Sequence, residues 1–121
     1  MEFIQLSNEE LKKHFDKANS WFVGLYMESF LNNFENLSDQ KYKDDLAEEL
    51  KSSDPYLLDC PIDEIKEKIE SLYKIICSKN FSEALNMVIL FESDEEPNCY
   101  AYEEAKYLTT LIKKGSIKLP Y

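Results

Sequence analysis

Between Pro61 and Cys77 the apolar residues Ile62, Ile65, Ile69, Leu72 and Ile76 step by 3, 4, 3 and 4. A half-buried strand needs a period of two, whereas this step is that of one helix face. Asp63, Glu64, Lys66, Glu67 and Lys68 fall on the other faces, so the spacing predicts an amphipathic helix with a narrow apolar seam. The seam covers little more than two heptads, which favours packing inside its own domain over an extended coiled coil. Only Gly24, Gly115 and four prolines interrupt the 121 residues, a composition that suits long helices better than many short strands.

The rest of the chain divides in the same way. Ser7 with Glu10 makes a capping box ahead of a helix that carries Leu11, Phe15 and Ala18 on one face. Phe22, Leu25, Tyr26, Phe30, Phe34 and Leu37 continue at helical spacing, and Trp21, Val23 and Met27 add apolar groups on other sides. This predicts a central, buried helix over 20–36. Ser38 is the expected N-cap of a third helix, with Asp39 in its first turn and Tyr42, Leu46 and Leu50 as its inward stripe. That helix should stop before Asp54-Pro55, with Asp54 capping a short turn through Asp59.

A further helix is expected to start at Asn80 or Ser82. The run Met87–Phe91 also fits a buried strand, but Glu83-Ala84-Leu85 ahead of it favours helix. The segment 92–97 then reads as a loop. Asn98 is placed to cap a last helix containing Ala101, Ala105, Leu108, Leu111 and Ile112, closed by Lys113, Lys114 and Gly115. The expectation is an all-α, single-domain bundle of five or six helices over residues 1–121, with 113–121 a short tail.

Composition narrows the chemistry. The net charge is −10, all 14 cations are lysines, and there is no arginine. Arginine supplies the planar fork that reads phosphates and guanine edges, so its absence and the acidic balance argue against direct nucleic-acid binding. Cys60, Cys77 and Cys99 are odd in number and far apart, which fits idle thiols in a reducing compartment better than disulfides or zinc. The first residues lack a basic stretch followed by an apolar run, and no stretch approaches the roughly 18 apolar residues of a membrane span. A soluble cytoplasmic protein is expected.

Catalytic motifs are missing. His14 is the single histidine; it forms no Glu-x-x-His pair and reads as a partly exposed residue beside Phe15. Two glycines do not build a phosphate-cradling loop, and any hydrolytic triad would have to use His14 alone. Some carboxylate pair looks catalytic in any chain with 24 acids, so that signal is unspecific. A non-enzymatic protein without cofactor or metal is expected.

What remains is the placing of charge. Residues 80–105 hold seven acids and no base, and residues 35–59 hold eight acids against three lysines, a net −5. Clustered like charges repel, and a cationic partner offsets that cost while its encounter is steered by the field. Tyrosines fall among the acids, and tyrosine is enriched in interface cores. The expected partner-binding residues are Glu92, Asp94, Glu95, Glu96, Tyr100, Tyr102, Glu103 and Glu104, with Asp44, Asp45, Glu48 and Glu49 as a secondary group. Tyr100 and Tyr102 lie two apart on a helix, so at least one should face solvent.

A short capped helix, SNEELKKHF, leads into the aromatic helix WFVGLYMESFLNNFE, and the C-terminal third is acidic and bears tyrosines. In this outline the chain resembles the small, acidic, largely helical immunity proteins of bacterial contact-dependent inhibition and other polymorphic toxin systems. The resemblance implies a monomer that forms a heterodimer with a cognate basic toxin domain, commonly a nuclease, and neutralises it in the cytoplasm. Two other readings use the same charge. A phage-type nucleic-acid mimic, an anti-restriction or anti-CRISPR inhibitor, would space its carboxylates like phosphates along a rod. An acidic secretion chaperone would be a mixed α/β dimer with an apolar groove.

Overall fold

The computed structural model describes residues 3–92 and 100–119. Helix α1 (Asn8–Ala18) starts at the expected capping box: Ser7 Oγ accepts from the Glu10 N–H at 3.1 Å and Glu10 Oε1 accepts from the Ser7 N–H at 3.2 Å. Asn19 ends α1 and opens α2 (Ser20–Asn32) at once, with φ of 79°, a left-handed value that asparagine tolerates better than most residues. Helix α2 stops four residues before the expected end. Asn33 donates to the Ser29 carbonyl from both its backbone and its side-chain amide, which closes the last turn, and a 3-10 turn follows over Asn36–Ser38. Phe34 and Leu37 are nevertheless buried, so their spacing reported burial across a turn rather than a continuing helix.

Helix α3 (Gln40–Ser53) is capped by Asp39, whose Oδ1 accepts from the Lys41 N–H at 3.0 Å. The expected cap, Ser38, instead donates to the Glu35 carbonyl and closes the 3-10 turn. The chain leaves α3 before Pro55 as expected, and Asp54 Oδ1 accepts from the Tyr56 N–H at 2.9 Å. Helix α4 (Ile62–Ile76) follows Pro61. Its buried surface is wider than a seam, because Lys68, Ser71 and Ile75 are buried along with Ile65, Ile69, Leu72 and Ile76. The cause is its central position: α1 and α3 both pack on it, and α2 and α5 reach it as well.

The segment at 85–91 lies within helix α5 (Phe81–Glu92), and α6 (Tyr100–Lys113) packs on both α5 and α2. Ala101, Ala105 and Leu108 form the buried line of α6. Gly115, at φ of 76°, ends the helix: its N–H reaches the Ile112 carbonyl and that of Ser116 reaches Leu111, the paired bonds of a Schellman cap. The protein is therefore all-α, with six α-helices and no strand among the described residues. Before α1, Ile4 forms an isolated parallel bridge to Ser78. The Asn80 side chain holds this segment, accepting from the Leu6 N–H and donating to the Leu6 carbonyl at 2.9 Å, and it is bonded to the Ser78 hydroxyl. The core joins Leu11, Phe22, Met27, Ile69, Leu72, Ile76, Phe81 and Leu85, all at most 2% exposed. A side chain of that size contributes about 1.5–3 kcal/mol on burial.

Candidate functional site: the acidic surfaces

Helix α3 separates its charges. Its buried line is Lys43, Ala47 and Leu50, while the expected stripe residues Tyr42 and Leu46 are only half-buried. Two of its three lysines turn into the fold. Lys43 Nζ pairs with Glu70 at 2.7 Å and lies 4.5 Å from the centre of the Tyr73 ring. Lys51 Nζ donates to the carbonyls of Leu58 and Cys60 at 3.0 and 2.6 Å, tying down the loop after α3. Lys41 stays outside, paired with Asp45 at 3.4 Å. Asp44 accepts from Gln40 and faces Lys66 at 3.9 Å. Glu48 and Glu49 are exposed, and no ion pair among the described residues involves either. The secondary group therefore contains two partly compensated carboxylates and two that project without a cation.

The primary group is divided differently. Asp94, Glu95 and Glu96 lie outside the described residues, as do the side chains of Glu92 and Tyr100, whose backbones end α5 and begin α6. Glu103 is exposed. Tyr102 is half-buried, and Lys106, one turn on, donates to its hydroxyl at 3.3 Å and lies 5.0 Å from its ring centre. Glu104 sits against Glu28 of α2. Burial, and then the charge and hydrogen bond of Glu28, hold its carboxyl above the usual carboxylate range. Glu104 thus belongs to the α2–α6 contact as well as to the acidic run.

Sequence reasoning gave the loop between α3 and α4 a capped turn but no surface role. Tyr56 is 81% exposed and Leu58 59%, and the Tyr56 ring lies 5.8 Å from Trp21. Leu25, one turn beyond Trp21 on α2, is also exposed. Three consecutive large apolar residues, Tyr56, Leu57 and Leu58, in the short span between Pro55 and Pro61 were the signal available in the sequence; only Leu57 is buried.

His14 is half-buried with Nδ1 3.4 Å from Ser71 Oγ. Burial first, then Lys74 and Lys17, lower its pKa. Cys60 and Cys77 form no disulfide among the described residues, and their thiols are pushed up chiefly by burial; Cys99 lies outside the described residues. Among the described residues no group of three or more His, Cys, Asp or Glu side chains is arranged to hold a metal ion, and no helix is long and apolar enough to cross a membrane. Comparison of the chain with protein-family models, curated proteins and solved structures finds no match.

Proposed function

We propose that this chain is an immunity-type inhibitor that binds a basic protein, a toxin domain such as a nuclease, and neutralises it by covering its cationic surface. The observation that carries this reading is the separation of charge on α3: Lys43 is spent on Glu70 inside the fold and half-buried Lys51 on carbonyls of the following loop, while Glu48 and Glu49 stand in solvent. Lysines so placed do not screen the outer face, and the field outside is more lopsided than the residue count suggests. The run from Glu92 to Glu104 extends the same sign into the second half of the chain. An all-helical body suits this reading better than that of a mixed α/β secretion chaperone. The protein acts in the cytoplasm as one copy against one partner, and it contributes no catalysis of its own.

The test is retention of basic proteins from the source cell's cytoplasm on the immobilised chain at low salt, followed by assay of the retained protein's toxicity with and without the chain. Neutralisation of a basic toxin supports the reading. Replacing Glu95, Glu96, Glu103 and Glu104 together with lysine should abolish protection while helicity is kept. Unchanged protection would move the contact to Asp44–Glu49. Association should slow by about tenfold or more as salt rises. Retention of no basic protein, or of one whose activity is unchanged, would sink the reading.

A further inference from the structure

Helices α2 and α3 have their main partners elsewhere: α2 lies chiefly against α6, α1 and α4, and α3 against α4 and the 3-10 turn. Between them runs a groove of about 200 Å³, with Phe30 at its floor, Tyr26, Tyr42 and Leu46 on its walls, and Asn33 and Glu49 at its rim. None of its lining residues is basic. Ordinary small-molecule sites measure ~300–1,000 Å³, so this groove suits one side chain rather than a metabolite.

We propose that the groove receives an arginine side chain of the basic partner, an inference that rests on the reading above and names its anchoring point. Two observations select the occupant, and a third gives its source. The floor and walls are apolar and aromatic, which suits an aliphatic stem and a planar cation stacked on a tyrosine face. The exposed rim carboxylate, Glu49, has no cation among the described residues and can accept both N–H groups of a guanidinium. The chain has no arginine of its own, so neither this molecule nor a second copy supplies that occupant. The half-burial of Tyr42 and Leu46 is accounted for in the same way: the stripe expected to face the core lines an interface instead.

The experiment is amide chemical-shift mapping on the isotope-labelled full chain with three blocked tripeptides, Ac-Gly-Arg-Gly-NH2 and its lysine and norleucine counterparts. The arginine probe should give saturable shifts confined to Ser29, Asn33, Tyr42, Leu46 and Glu49. Its affinity should fall by about threefold or more in Glu49→Gln, an exposed position where the fold tolerates the change. Equal binding of the lysine probe would overturn the choice of arginine, and equal binding of norleucine would reduce the groove to an apolar crevice. Shifts spread over Glu48, Asp59 and Asp63, or an affinity unchanged in Glu49→Gln, would overturn the site. The two readings fail separately. A basic partner held equally well by wild type and Glu49→Gln removes the groove but keeps the inhibitor. Saturable arginine binding without any retained basic protein does the reverse.

Discussion

The Tyr26 hydroxyl donates to Asp54 Oδ2 at 2.5 Å, joining the middle of α2 to the turn that follows α3. Asp54 is only 8% exposed, and its other oxygen takes the Tyr56 N–H. A carboxylate that deep needs both donors. Tyr26→Phe should therefore cost about 1–3 kcal/mol, seen as a lower urea midpoint at unchanged slope. In the wild type, burial first and then Asp54 push the Tyr26 hydroxyl well above the ordinary tyrosine value of 10.0. Burial likewise pushes the Tyr73 hydroxyl up, so an ultraviolet titration should show a late component shared by Tyr26 and Tyr73, and Tyr26→Phe should remove about half of it.

Asn80 secures the segment before α1. Its amide answers both the N–H and the carbonyl of Leu6, and all three groups are buried or nearly so. Asn80→Ala leaves the Leu6 groups without those partners, at a cost of about 2–3 kcal/mol. Because the bridge at Ile4 and Ser78 depends on the same tether, hydrogen exchange should accelerate at Ile4 and Lys79 before it does in α4.

Lys43 and Glu70 form an ion pair whose members differ in burial, at 9% and 40% side-chain exposure. Removing the exposed partner strands a buried ammonium; removing the buried one frees a carboxylate that water can reach. Glu70→Ala should thus destabilise by about 3 kcal/mol, whereas Lys43→Met, which keeps the stem over Tyr73, should stay within about 1 kcal/mol of wild type. Equal losses in chemical denaturation would mean that the attraction itself, rather than desolvation, decides the energetics.

Local chemistry was legible in the sequence at most places where a few neighbouring residues decide the outcome, the cap of α3 and the end of α2 excepted. The capping box at Ser7 and Glu10, the stop before Pro55, the start after Pro61 and the turn at Gly115 all depend on contacts within about five residues, and all are present. Readings that depend on another helix were less secure. Tyr42 and Leu46 had the spacing of a core stripe, yet Lys43 is buried beside them because Glu70 and Tyr73 of α4 receive its charge. No periodicity within α3 contains that information. The acids of α3 were correctly placed toward solvent, but that Glu104 meets Glu28 depends on how α6 settles on α2.

That last contact makes stability depend on pH in a direction opposite to that of a salt-bridged acid. The Glu104 carboxyl is raised above its ordinary 4.5 by burial and then by Glu28, so the folded chain holds this proton more tightly than the unfolded chain does. Its ionisation therefore weakens the fold. The penalty is absent below pH 4.5, grows as pH rises through the raised folded value, and is complete above it. Glu104→Gln keeps the shape of the side chain and removes the charge. It should melt close to wild type in acid and at a higher temperature near neutral pH, with the gap opening across that window. In a Glu28→Gln background the gap should narrow, because the neighbouring carboxylate is gone while the burial remains. Melting curves of the four proteins from pH 3.5 to pH 8 supply the measurement. A gap independent of pH would show that Glu104 does not ionise against Glu28 and that the two helices meet there for other reasons.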